Sequence, residues 1–264
     1  MTERLALSAE ERKRPYSKYY DFPMTEISEE KKYILQQDPM SAEDGLPIER
    51  RTELFLPGYQ KSETGYCVME DGTGYVANLT KMPGVTPEMF EWWFAWHALE
   101  DLRYRIWDPE DHFYARQQNP EKVLDPKVPM REKTWGTTHL IMEDVGLGAS
   151  DLTLKFFYPS ELGFDESKVG TKDCAALISA MGHSPVAVNA IMTHFVRETE
   201  EGIELRSRFW IGYRVENGKL IKVIPDGVEV PIVVARSLLN HCMKEFTHLA
   251  AILPQVYEEN KDRW

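Results

Sequence analysis

Seven histidines stand in this chain, at positions 97, 112, 139, 183, 194, 241 and 248. His241 is the most informative, because Glu245 follows four residues later. On a helix, an i, i+4 pair projects from one side, about 40° apart around the axis. Both side chains fall beside the apolar stripe of the helix that should carry them. A carboxylate buried beside an imidazole is costly unless positive charge pairs with it. A divalent metal ion supplies that charge. The competing reading is a hydrogen bond at the solvent edge. The pair is not a metalloprotease HExxH motif, since no Glu follows the histidine directly.

A metal needs more ligands than two. His139 and Glu143 are also four apart, but in a segment of strand character, where an even spacing puts both on one face. Either could look into a cavity. His112 follows the acidic turn Asp108-Pro109-Glu110-Asp111, where a loop can fold over a cavity mouth. Two histidines with two carboxylates suit Zn²⁺, with Mn²⁺ and Fe²⁺ as alternatives.

These side chains need elements to position them. From residue 134 the pattern has period two, and residues 135–144, 151–158, 174–181, 203–214 and 219–225 read as strands. In 203–213, Ile203, Leu205, Phe209, Ile211 and Tyr213 share one face. Glu204, Arg206 and Arg208 share the other, the pattern of a half-buried antiparallel strand. Residues 230–252 form the longest helical segment, with Val234, Leu238, Cys242, Leu249 and Ile252 on one stripe. A second helix begins near Thr86, with Pro87 in its first turn, and runs through WWFAWHALEDL to about residue 102. Residues 66–70 and 74–80 read as a hairpin turning at Asp71-Gly72. That placement sets aside the Gly72-x-Gly74-x-x-Ala77 spacing as a dinucleotide fingerprint, which requires a strand followed by a helix. Residues 1–50 are polar and punctuated by prolines, an extended arm with one short helix over 28–37. Strands followed by one long terminal helix predict an α+β grip, an antiparallel sheet wrapped around the helix with a cavity between them. The chain divides into a smaller N-terminal part, residues 1–85, and the grip domain, residues 86–264.

Composition narrows the functions. The 43 acidic residues outnumber 31 basic ones, for a net charge of −12. That argues against nucleic acid or an anionic membrane as a partner. No apolar run reaches the length of a transmembrane helix. The first 20 residues hold no signal-peptide segment, so a cytoplasmic location is expected. Cys67, Cys174 and Cys242 are far apart, odd in number and without metal-finger spacing, and read as reduced core thiols. There is no GxSxG, which disfavours a serine-type carbon–carbon hydrolase.

Four runs, WWFAWHALEDLRYRIWDPEDHF (92–113), THLIMEDVG (138–146), MGHSP (181–185) and HCMKE (241–245), resemble the 2,4-diacetylphloroglucinol hydrolase family. The resemblance spans roughly residues 50–255. It implies a zinc-dependent hydrolase that breaks the carbon–carbon bond between a phloroglucinol ring and its acyl group. It also implies a helix-grip, Bet v 1-like fold and a homodimer. Carried over residue by residue, it makes His112, Glu143, His241 and Glu245 the metal ligands. Tyr104 becomes a substrate contact and His183 a further active-site histidine and candidate proton carrier. One position departs from the family pattern: Ala115 stands where a ring-binding asparagine is expected. That shifts the expected substrate from an acetylphloroglucinol to one with a larger acyl group, such as phloretin. His97, among Trp92, Trp93, Phe94 and Trp96, reads as a packed core histidine, and His139 as a cavity residue beside the ligands. A helix-grip protein that binds aromatic ligands without chemistry is the competing class. A pure carrier, however, has no reason to bury two glutamates with two histidines.

Overall fold

The computed structural model describes residues 4–184 and 188–264, so Pro185 of the MGHSP run lies outside the described residues. Two short helices, α1 (Ala9–Arg12) and α2 (Glu29–Gln36), come first. Ser28 caps α2 by accepting a hydrogen bond from the Lys31 amide. The expected hairpin follows as β1 (Gly65–Val68) and β2 (Gly74–Pro83). Its turn is held by the Asp71 carboxylate, which accepts from the amide and hydroxyl of Thr73. Gly72 has φ +84°, and a Cβ there would come within 2.2 Å of the Val228 carbonyl oxygen, so the turn requires glycine.

Helix α3 (Pro87–Trp96) starts as expected, with Thr86 capping the Met89 amide. It ends earlier than expected. Glu100 is extended, with φ −147° and ψ 139°, and the chain restarts as α4 (Asp101–Arg105). Tyr16, Arg14 and Arg103 converge on the Glu100 carboxylate and hold it outside the helical path. Next come β3 (His112–Gln117), α5 (Pro120–Leu124), β4 (Thr138–Glu143), β5 (Ser150–Phe156), β6 (Ala176–His183), β7 (Ala190–Glu198) and β8 (Gly202–Ile211). A small hairpin, β9 (Tyr213–Glu216) and β10 (Lys219–Lys222), leads to α6 (Ile232–Asn260). No helix among the described residues is long and apolar enough to cross a membrane.

The sheet has eight strands in the order β1-β2-β8-β7-β6-β5-β4-β3, every neighbouring pair antiparallel. Helices α3 and α6 cover one face. Val76, Ile178, Val196, Leu205 and Phe209 from the strands meet Phe90, Leu239, Phe246 and Leu249 from the helices in one core. This is the α+β helix-grip architecture. Both strands of the first hairpin, which belong to residues 1–85, are hydrogen-bonded into this same sheet.

The other face is not solvated as the alternation in 203–213 predicts. A second core lies there, built from Leu46, Ile48, Leu54 and Phe55 and from Phe157, Leu162 and Phe164, against Leu177, Phe195 and Trp210 of the strands. Arg206 and Arg208 lie beneath this layer, both 0% exposed. Glu63, from the covering segment, bonds both guanidiniums and neutralises them.

Candidate metal centre

Three elements bring the candidate ligands together. On α6, His241 and Glu245 are both buried and face the sheet from one side of the helix. On the sheet, His112 of β3 stands directly opposite Glu143 of β4. A β-bulge between His112 and Tyr114 shifts the register, so that His112, Ala115 and Gln117 share the inner face with Glu143, Ile141 and His139. The even spacing of His139 and Glu143 therefore holds.

The geometry is tight. His112 Nε2 lies 3.8 Å from Glu143 Oε2 and 3.7 Å from Glu245 Oε2. His241 Nε2 lies 4.0 Å from each of the same two oxygens. The other nitrogen of His112 is committed: Nδ1–H donates to the Tyr104 carbonyl at 3.2 Å. That bond sets the tautomer and turns the Nε2 lone pair toward the carboxylates. The Tyr104 ring stacks on His112 at 3.9 Å, nearly parallel at 4°. The Tyr104 hydroxyl donates to Glu143 Oε2. Trp107 donates its indole N–H to the Glu245 carbonyl at 3.1 Å, which pins the helix against the loop before β3.

The charges do not balance within the cluster. Burial drives Glu245 well above the ordinary carboxylate range, with Glu143 and Asp108 adding to the push against His241. Burial also holds His112 well below the usual imidazole value, with His241 beside it. For His241, burial acts downward, but Asp111, Glu245, Glu143 and Asp108 override it and raise it to about 10. Burial and the neighbouring Glu143 raise the Tyr104 phenol well above its usual value.

This donor set fits a divalent cation. His112 Nε2 is buried and has no hydrogen-bond partner among the described residues. Each histidine Nε2 lies 3.7–4.0 Å from an oxygen of each glutamate, with Glu143 standing outside the group whose atoms are all mutually close. His112, His241 and Glu245 form one group with metal-holding geometry, and Asp108, Asp111 and His241 form another. The second is already neutralised: Lys244 Nζ lies 3.2 Å from Asp108, 3.1 Å from Glu110 and 2.6 Å from Asp111.

Above the cluster lies a small cavity, with about 60 Å³ open to a water-sized molecule. Phe94, Trp107, Leu154, Phe156, Met192, Phe209 and Leu238 wall it, and His97, Tyr104 and His194 supply its polar groups beside the ligands. Tyr104 is thus brought to the site with the four expected ligands. His183 is not. It sits exposed at the end of β6, on the outer face, with Nδ1 3.2 Å from Asn189 Oδ1. Leu177 and Met181 share its parity and join the outer core, whereas Ile178 and Ala180 point inward. The histidine that faces the cavity is His194, on β7. A strand assignment for AIMTHFVRE would have found it, since it alternates in step with Met192 and Val196. His97 is packed against Trp93 as expected, its Nδ1–H donating to the Trp93 carbonyl at 2.9 Å, and it also lines the cavity. His139 is fully buried, accepting at Nε2 from Gln117 at 2.8 Å.

Residues 46–258 match the family model of the DAPG hydrolase PhiG domain. The chain is 47% identical to a phloretin hydrolase of Eubacterium ramulus, over 98% of this chain and 95% of that protein. It is 32% identical to a 2,4-diacetylphloroglucinol hydrolase of Pseudomonas protegens, over 94% of this chain and 85% of that protein. Likeness to solved structures is looser. The crystal structure of Ara h 8.0201 aligns over 70% of this chain and 99% of its own, with a TM-score of 0.42 and 9% identity.

Proposed function

The chain belongs to the DAPG hydrolase family, and from that premise we propose that it is a zinc-dependent hydrolase that cleaves the acyl–ring carbon–carbon bond of an acylphloroglucinol. The observation that carries the reading is the convergence of His112, Glu143, His241 and Glu245 at the inner end of an aromatic-walled cavity. Phloretin is the proposed substrate. The higher identity to a phloretin hydrolase supports it. So does Ala115, which the β3 bulge turns inward beside His112 and whose methyl group offers the ring no hydrogen bond.

An acylphloroglucinol is a vinylogous β-diketone. Protonated at the carbon bearing the acyl group, its ring becomes a leaving group. Water adds to the acyl carbon, the bond to the ring carbon breaks, and the ring departs as an enolate. The products are phloroglucinol and 3-(4-hydroxyphenyl)propionate. A divalent ion held by the four side chains supplies Lewis acidity for the acyl carbonyl and for water, whose pKa such ions lower to about 7. The chain's own groups do the rest. The Tyr104 hydroxyl, which lines the cavity and donates to Glu143 while its ring stacks on His112, holds that carboxylate and would turn its proton to a substrate oxygen that gains negative charge. Burial lowers His97 to about 4 and His194 to about 3, so both hydrogen-bond ring oxygens as neutral groups. His194, in the cavity, is the histidine beside the site in place of His183, as a neutral hydrogen-bonding group and not as a proton carrier. Phe94, Trp107, Phe156 and Phe209 receive the flat ring and exclude water from it.

The test is chromatography of purified protein incubated with phloretin or diacetylphloroglucinol, with and without a chelator. Chelator-sensitive release of phloroglucinol from phloretin is expected. Turnover that survives full removal of metal refutes the metal reading. Cleavage of diacetylphloroglucinol alone refutes the larger-acyl assignment.

A further inference from the structure

The Trp93 carbonyl, in the last turn of α3, is met twice by one residue. The backbone N–H of His97 donates to it, and His97 Nδ1 lies 2.9 Å from it. A carbonyl oxygen has two lone pairs and only accepts. Nδ1 therefore carries the imidazole proton.

That bond decides what the other ring nitrogen can do. His97 is 2% exposed and packed among Trp93, Phe94, Tyr104 and Trp107, with ring centroids 5.5–5.9 Å away. Burial among these rings disfavours the imidazolium and lowers its pKa to about 4. A neutral imidazole with its proton on Nδ1 has a bare Nε2, which can only accept. The two nitrogens of the ring point apart, so Nε2 faces away from the Trp93 carbonyl. Among the described residues it makes no hydrogen bond. It is not sealed in, as His112 Nε2 and His139 Nδ1 are. The opening that reaches it is the cavity, which His97 lines.

Its neighbours do not offer the same group. The His139 ring stands 5.4 Å from His97, edge-on. The Asn119 amide donates to Gln117 Oε1 at 2.9 Å, which leaves the Gln117 side-chain nitrogen to donate to His139 Nε2 at 2.8 Å. The acceptor of His139 is thus filled. His194 Nδ1 meets the Ser207 hydroxyl at 2.9 Å, and a hydroxyl both gives and takes. His97, whose partner only takes, has no such freedom.

We propose that His97 is a specificity-determining residue whose bare Nε2 accepts the hydrogen bond of one phenolic hydroxyl of the substrate ring. The inference deepens the acylphloroglucinol reading and rests on it. A lone pair on nitrogen repels an oxygen that has no proton to give. The hydroxyl on His97 therefore stays protonated as the ring departs. The negative charge of the enolate gathers instead on an oxygen that meets the Tyr104 proton. At the His97 position a free hydroxyl is held, and an ether or a ketone is not.

The experiment is long-range ¹H–¹⁵N correlation on protein labelled at histidine nitrogen, with His97 assigned by its loss in His97→Phe. The expected result without ligand is a protonated Nδ1 and a bare Nε2. Added phloroglucinol should move the Nε2 resonance upfield, the direction for a lone pair that accepts a hydrogen bond, with the proton still on Nδ1. His97→Phe keeps an aromatic ring in the packing and removes the acceptor. Its KM for phloretin should rise about 5–100-fold, the cost of leaving a buried hydroxyl unmet. Its kcat should stay within about threefold, the pattern of an interaction made equally before and in the transition state. A proton on Nε2 in the ligand-free protein overturns the proposal. So does a protein that cleaves phloretin but shows an unmoved Nε2 resonance with phloroglucinol, or a KM unchanged in His97→Phe. Protein whose bare Nε2 responds to phloroglucinol but which leaves phloretin intact supports the acceptor and refutes the substrate reading.

Discussion

Replacing Glu63 by glutamine should destabilise the protein strongly at neutral pH and hardly at all in acid. Glu63 is the only carboxylate bonded to Arg206 and Arg208 among the described residues. Arg206 grips it with Nη2 at 2.6 Å and Nε at 3.0 Å, and the Gln60 amide donates to it at 2.6 Å. Burial alone would raise its pKa. The two guanidiniums and the amide override burial and hold it at about 2, against an ordinary 4.5. That difference is about 2.5 pH units, or about 3.4 kcal/mol at about 1.36 kcal/mol per unit. The sign follows from a depressed folded pKa. The stabilisation is complete above pH 4.5 and is lost as the pH falls from there through 2. Glutamine has the shape of the protonated carboxyl. The unaltered protein should therefore exceed Glu63→Gln by about 3 kcal/mol at pH 7, and the gap should close as pH 2 is approached. In a chain of this size that is a Tm difference of about 6–14 °C at pH 7. Urea unfolding of both proteins at pH 7, 5, 4 and 3 measures the gap directly. A gap below about 1 kcal/mol at pH 7, or one that does not change with pH, would show that the two arginines are not held by this charge.

Four further outcomes are expected. His112→Ala and Glu245→Ala should each lose most bound metal after dialysis, measured by elemental analysis, and with it phloretin cleavage; full zinc occupancy in both would remove them as ligands. Tyr104→Phe should keep its metal while kcat falls about 10–100-fold. His194→Ala should lower turnover far more than His183→Ala, because only His194 faces the cavity. Glu91 is half-buried, and burial raises its carboxyl from 4.5 to about 7 despite Arg131. Its favourable protonated form is fully present below pH 4.5 and is lost as the pH rises through 7. Glu91→Gln should therefore melt a few degrees higher at pH 8, by about 1–2 kcal/mol after solvent screening, and match the unaltered protein at pH 4.

Features fixed by local spacing were legible in the sequence. His241 and Glu245 meet because 3.6 residues make a turn, and His139 and Glu143 share a face because two residues make a pleat. Neither needs knowledge of a distant segment. The hairpin at Asp71-Gly72 and the cap at Thr86 belong to the same class. Arg206 and Arg208 do not. Their alternation with apolar neighbours predicts a solvated face, yet they are buried because residues 46–64 fold over them and bring Glu63 from far along the chain. No periodicity within the strand records that cover. Strand β7 escaped for a related reason. With Ile191 and Phe195 in the outer core and Met192 and Val196 against the inner one, it is apolar on both sides and shows no clean alternation.

The site divides along the same line. Its helical half is set by one segment, but its sheet half depends on register. His112 reaches Glu143 only through the bulge before Tyr114. Asn78, Ser207 and His194, remote from one another in the chain, become neighbours only because β2, β8 and β7 pair as they do. A slip of one residue in any of these pairings would move its side chains to the opposite face of the sheet. The outer layer that buries Arg206 and Arg208 opposes such a slip, because it would drive Arg206 and Arg208 into the apolar inner core and strip Glu63 of its partners. The same strand β8 carries Ser207 inward and the arginines outward. The ion cluster, remote from the cavity, thus helps hold the register that keeps His194 facing the cavity beside the candidate metal ligands.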